Sequence, residues 1–318
     1  MINIVFLFVE SWFISTLGPK ISGHTTSSID GKIYLHGGLT GSAGSEVTND
    51  FWLYDNFVWN KIPFDGVNPS PRMYSASSIL DGNFYLFGGW DPETKGSGGS
   101  FKSDVWKYNI YNNSWEELAC MDETVSRHCA ETVNDKIVIH SFRNTLVLKN
   151  DKIHVQETTG EKPNGLSMCC SATIGNKMFI FGGSNKEMMI NDCLYILDTD
   201  IWNWEKIKVK SIKGVSGASM VKYDDKSLLV FGGAYLSQNG YNGGKGLIPS
   251  NELFKVYENE KGEYLCSTYD TFDRPEARVA NSMNLINNDG TSIIVMHGGW
   301  SPITMDTFDE TWMIDKES

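Results

Sequence analysis

The sequence predicts an all-β chain of six four-stranded units closed into a ring, and three observations carry that expectation. A short apolar strand ending in two glycines recurs, at Gly37-Gly38, Gly88-Gly89, Gly182-Gly183, Gly232-Gly233 and Gly298-Gly299. A tight-turn signal precedes each strand, and tryptophans recur at set places after it. The first glycines lie 51, 94, 50 and 66 residues apart, and the gap of 94 leaves room for one more copy. That copy is Lys136-Ile137-Val138-Ile139-His140-Ser141, which has lost both glycines. A strand-built period near 50 residues is the signature of a six-bladed β-propeller.

The second unit shows the plan. Residues 75–80 alternate small and apolar side chains, as an inner strand in a crowded place does. Asp81-Gly82 makes a hairpin turn. Residues 83–87 are continuously apolar and therefore buried on both faces. After the glycines and a polar loop, Asp104-Val105-Trp106-Lys107-Tyr108 alternates as a half-buried strand. Asn112-Asn113 turns the chain into the outer strand around Trp115. The hairpin signal returns as Asp30-Gly31, Asn134-Asp135, Gly175-Asn176, Asp224-Asp225 and Asp289-Gly290. The third strand returns around Trp52, Tyr195, Phe254 and Trp312, and the outer strand around Trp59, Trp204 and Tyr264. The third unit is worn, with only 144–148 and 153–155 for its last two strands.

The last unit reaches Trp312 with no room for an outer strand before Ser318. The N-terminus supplies one, because Ser11-Trp12-Phe13-Ile14 has the outer-strand pattern. Residues near 4–15 are expected beside 308–315, which would seal the ring and remove its open edges. Residues 1–10 are apolar, but they have no basic leader and no small-residue cleavage site, so a signal peptide is not expected. The repeats run without a linker, so 1–318 is read as one domain.

These repeats resemble the kelch family over essentially the whole chain. The matching elements are the glycine pair, the aromatic residue of the third strand and the Trp of the fourth. The departures are the glycine pair lost near residue 140 and the outer Trp missing from units three and five. The resemblance implies four-stranded blades and a partner-binding face at the mouth of the central channel. Blade-entry loops and post-glycine loops share that face. The former contribute Arg72, Arg127 and Arg278, and the latter Trp90, Arg143, Tyr235 and Trp300. Arg and Trp in one concave place have the composition of a binding hot spot. Family resemblance matches Arg72, Arg127 and Arg278 to positions that grip acidic peptides in some kelch proteins. The alternative for each Arg is a framework role, bonding loop carbonyls between blades. Trp90 and Trp300 follow the glycines where a polar turn would serve. The loops 39–49, 90–103 and 234–250 are long, which points to the same face.

A net charge of −12 without a basic run argues against nucleic-acid or anionic-membrane binding. The six cysteines form no CxxC pair, which suits reduced thiols in a cytoplasmic or nuclear protein. The sequon at Asn112 is too common by chance to outweigh this. His36, His140 and His297 hold one repeat position that Phe fills elsewhere, so they read as framework rather than as a metal site. His24 and His128 sit in entry loops near the mouth. No nucleophile elbow, phosphate-binding loop or zinc spacing appears, and no cofactor is expected. The ligands of kelch-like copper-radical oxidases cannot be matched here, and the iron spacing of plant specifier proteins fails at Tyr54. The leading expectation is a monomeric, non-catalytic module that binds a protein segment. The alternative is a carbohydrate-binding or carbohydrate-acting propeller, like the sialic-acid epimerases, with Trp90 and Trp300 as stacking platforms.

Overall fold

In the computed structural model the described residues are 11–315, except 42–45, 65, 94–97, 210–211, 238–245 and 289. They form six blades, each built on four antiparallel strands; three blades add a short fifth strand, of which Thr159–Gly160 pairs in parallel, and no helix occurs among the described residues. The innermost strands of blades 1 to 6 are Thr25–Ile29, Ala76–Leu80, Cys129–Val133, Ser167–Ile174, Ser216–Asp224 and Ser282–Asn288. Each adjoins the next around a central channel, and the sixth adjoins the first. The core is distributed between blades. For example, Phe87 and Val105 of blade 2 pack with Ile137 and Leu146 of blade 3.

Ring closure is as expected in kind, with the strand placed slightly later. Phe13–Leu17 is the outer strand of blade 6, with Phe13 opposite Met313 and Leu17 opposite Glu310. Residues 1–10, part of the expected stretch, lie outside the described residues. Trp12 is buried and packs against Phe231 of blade 5, ring centroids 5.5 Å apart.

The glycine pair has a steric origin. At the first glycine φ is positive, and a Cβ would meet a carbonyl oxygen of the next blade's entry segment. It would lie 2.5 Å from Arg72 O at Gly37, from Val125 O at Gly88 and from Ile21 O at Gly298. The second glycine's N–H donates to that same oxygen, at 2.8 Å for Gly38 to Arg72 and for Gly89 to Val125, and 2.9 Å for Gly299 to Ile21. The pair is therefore a blade-to-blade clasp that tolerates no side chain. Blade 3 replaces it with a short turn, in which the Ser141 hydroxyl donates to Glu123 at 2.5 Å and Ser141 N–H bonds Asn144 O at 2.9 Å.

The flanks of the expected long loops are hairpin. The second strands of blades 1, 2 and 5 continue past the glycines, to Thr40, Asp91 and Ser237, and pair with returning strands. Trp90 lies opposite Phe101, and Leu236 opposite Leu247. The ladder satisfies backbone groups that a loop would leave to water.

The repeated histidines are framework. Each is buried and meets the outer-strand Trp of the next blade: His36 with Trp115 at 5.6 Å, His140 with Trp204 at 5.1 Å and His297 with Trp59 at 4.6 Å. Trp12 and Phe231 make the equivalent contact between blades 6 and 5. All six cysteines are free thiols, and Cys169 and Cys170 do not form a vicinal disulfide.

Candidate functional site

The channel mouth is framed by one backbone position from each blade. Gly23, Tyr74, Arg127, Met168, Gly217 and Ala280 all have φ between 55° and 73°. Arg127 N–H donates to Tyr74 O at 2.9 Å, Tyr74 to Gly23 O at 2.7 Å and Gly23 to Ala280 O at 3.0 Å. Ala280 donates to Gly217 O at 2.8 Å and Met168 to Arg127 O at 3.1 Å. Five bonds thus lace the six blades into a hoop. Four of its members carry a side chain in the left-handed region, a strained placement that clusters at functional sites. The hoop borders a mouth pocket of about 110 Å³. Its polar half is Tyr74, Arg127 and His128, from blades 2 and 3. From blades 4 to 6 it is lined by Met168, Cys169, Gly217, Ala218 and Ala280, with Asn281 as the one polar side chain.

The three expected arginines do not share a role. Arg72 is fully buried and uses all five of its N–H donors. They reach Asp104 at 2.6 and 2.7 Å, Gly88 O at 3.0 Å, Ser70 O at 2.9 Å and Ser70 Oγ at 3.0 Å. Burial would raise the Asp104 carboxyl, but the guanidinium outweighs it and holds the pKa below the ordinary value. Arg278 is likewise fully buried, over the Phe308 ring at 3.7 Å, with Gly298 O at 3.0 Å and Glu310 at 3.4 Å. Desolvation pulls its pKa down to about 10. Neither guanidinium is offered at the mouth, so the framework reading holds for both. They occupy the entry position whose carbonyl takes the glycine clasp, and blade 3 has Val125 there. Arg127 lies two residues further on, at the hoop.

Arg127 differs in its surroundings as well. Its guanidinium lies 4.4 Å from the Tyr74 ring centroid and 5.1 Å from that of Trp90, and Nη1 reaches only Ser126 Oγ at 3.2 Å. Among the described residues it makes no ion pair. Burial lowers its pKa; a guanidinium remains a cation at neutral pH by its ordinary chemistry. Two aromatic faces position such a cation without neutralising it.

The other expected residues spread around the same face. Trp90 is half-buried, stacks with Phe101 at 6.3 Å and donates to Gly98 O at 3.2 Å. Trp300 is half-buried and bridges Val279. Arg143 is exposed at the tip of the short blade-3 turn. Tyr235 is half-buried under Lys213, 5.0 Å from its ring. The structure thus brings Trp90 to Arg127 and leaves Arg143, Tyr235 and Trp300 on separate blades. Tyr74 and Met168 were not singled out from the sequence. Counting back one residue from the small or polar start of each inner segment (His24, Ser75, His128, Cys169, Ala218, Asn281) would have found the hoop register.

Below the mouth the channel holds about 410 Å³ and is lined mainly by hydroxyl, amide and small side chains. Cross-blade hydroxyl contacts line it, such as Thr25 with Ser77 and Ser78 with Thr132. Between blades 3 and 4, where the glycine clasp is missing, Glu131 accepts from Ser171 at 2.6 Å and Thr173 at 3.4 Å. Burial pushes its carboxyl from an ordinary 4.5 up to about 7. The folded chain therefore holds this proton more tightly than the unfolded chain, and its contribution to stability is lost as pH rises from about 4.5 through about 7. Four buried histidines and the half-buried His128, all with pKa lowered by desolvation, give the opposite slope as pH falls. The informative quantity is thus a difference. Glu131→Gln should gain about 2–3 kcal/mol relative to wild type between pH 5 and pH 8, from the usual free energy per pKa unit. Thermal melts at both pH values check this, and equal differences at the two would refute it. Among the described residues no cluster of three or more His, Cys, Asp or Glu is placed to hold a metal.

Comparison with known proteins agrees with this architecture. The family described as the KLHDC2/KLHL20/DRC7 Kelch-repeats domain matches residues 15–141 and 140–318. Kelch domain-containing protein 2 of Bos taurus is 28% identical over 229 residues, covering 68% of this chain and 49% of that protein. Host cell factor of Drosophila melanogaster is 28% identical over 138 residues, covering 39% of this chain and 9% of that protein. The chain spans about half the length of the first of these and far less of the second. The solved structure of YjhT superposes with a TM-score of 0.68 at 20% identity, covering 92% of this chain and 94% of that one, and shows the shared fold. With the family matched along both halves, the glycine clasp repeated and six blades closed by an N-terminal strand, the chain belongs to the kelch-repeat family.

Proposed function

We propose that the propeller is a protein-interaction module whose channel mouth binds an acidic segment of a partner. The single observation behind this is Arg127, a partly buried cation held between two aromatic rings and left without a carboxylate among the described residues. A ligand carboxylate arriving there meets a preoriented fork of donors, and partial desolvation strengthens the bond. The acidic surface elsewhere disfavours casual contact with acidic chains, so selectivity rests on this local site.

An array of short acidic and neutral peptides tests the reading on the intact chain. Binding should favour Asp- and Glu-containing peptides and weaken with added salt. Arg127→Ala should cost at least roughly tenfold in affinity, the scale of a lost charge-assisted bond. Arg127→Lys should recover part of it, because the charge remains while the stacking geometry is lost. Binding by Arg127→Ala at wild-type strength would remove the proposal. The carbohydrate alternative needs open aromatic faces, and Trp90 has Arg127 on one side and Phe101 stacked beside it. A glycan array run in parallel tests that reading.

A further inference from the structure

The mouth-facing hairpins of blades 4, 5 and 6 carry an apolar rim. Met188, Met189, Leu236, Leu247, Ile303 and Met305 are 38–59% exposed. Leu236 and Leu247 form a cross-strand pair on the blade-5 hairpin. Met188 and Met305 sit at turn tips with φ of 61° and 57°. Glycine or asparagine would hold such turns at lower local cost, since a left-handed residue with a side chain costs about 1–2 kcal/mol. A flexible thioether placed there at that cost and left in solvent has no role in the framework. Methionine adapts to apolar partners and is used on binding surfaces for that reason.

The rim continues the polarity of the mouth pocket. The pocket's one cation, Arg127, belongs to blade 3, and Met168, Gly217 and Ala280 line it from blades 4 to 6 beside the amide of Asn281. Met168 follows Arg127 directly in the hoop. Resting on the reading of Arg127 as the acid-binding group, we infer that the partner segment is amphipathic and extended. Its acidic side chain lies at Arg127, and neighbouring Leu, Ile, Met or Phe side chains run across blades 4 to 6. Charge complementarity fixes one end of this segment, and the exposed apolar side chains on three successive hairpins set its course.

A random-peptide display library selected on the full chain tests this. Selected peptides should combine Asp or Glu with two or more large apolar residues lying to one side of it. The double variant L236S/L247S alters an exposed pair and should melt like wild type. It should bind the selected peptides roughly tenfold or more weakly and select sequences that keep the acid but lose the apolar preference. Acidic peptides without apolar enrichment, or wild-type affinity in the double variant, would overturn the inference while leaving the Arg127 reading intact. Absence of any Arg127-dependent acid preference would overturn both. Concentration-dependent dimers that L236S/L247S disperses would overturn it in favour of a second copy as occupant.

Discussion

Trp12→Ala is expected to destabilise the chain by about 3–5 kcal/mol, and removal of residues 1–17 by more. Trp12 is buried at 1% exposure against Phe231, so truncation opens a cavity between blades 5 and 6. The strand that follows, Phe13–Leu17, completes blade 6. Two further contacts depend on the same segment. Gly18 N–H donates to Asp309 O at 2.7 Å, and His297 bonds Pro19 O at 3.0 Å. Losing the strand would expose the ladder edge of Glu310–Asp315, an aggregation template. A fall in melting temperature on the order of 10 °C for Trp12→Ala follows from the usual relation for a domain of this size. An unchanged melt would mean that the ring is closed by something other than this strand.

Arg72→Met should cost a similar amount, about 3–5 kcal/mol, the usual result of removing one partner of a buried ion pair. Five hydrogen bonds disappear, and the Asp104 carboxylate and Gly88 carbonyl stay behind. Arg72→Lys should rescue only part of the loss, because one ammonium cannot reproduce the bidentate fork on Asp104. Asp104 has a lowered pKa, so its contribution is present above the ordinary carboxylate range and lost as pH falls through the lower folded value. Melts of the two variants at neutral and acid pH check this, and a wild-type melt for Arg72→Met would contradict the framework role. A joint replacement of Arg72, Arg127 and Arg278 would therefore unfold the scaffold and say nothing about binding.

Most of the fold was legible in the residues. A glycine pair that clasps the next blade leaves no room for a side chain, so it marks five of the six repeats, and Trp at the outer strand marks most of the blades. Blade 3 was recognisable through the gap of 94 residues, its turn at Asn134-Asp135 and its apolar strand, because Ser141 and Glu131 hold it by side-chain bonds that have no repeat signature. The site was less legible. Arg72, Arg127 and Arg278 look alike in the sequence, and what separates them is a two-residue offset from the glycine clasp. That offset places two guanidiniums between blades and one at the mouth. The aromatic faces around Arg127 come from blade 2, more than thirty residues back, so the cage exists only once blade 3 has packed on blade 2. Likewise 234–250 read as one long loop, whereas its flanks form a hairpin that pairs Leu236 with Leu247.

The most direct test of the mouth as the working face is site-specific photo-crosslinking in extract from the source cell. A benzophenone side chain at position 101, half-exposed beside Trp90, reports on the mouth. One at position 111, where Tyr111 is 79% exposed on the opposite face, serves as the comparison. Partner adducts at 101, lost on adding Arg127→Ala, with none at 111, are the expected result. Adducts at 111 and none at 101 would contradict it.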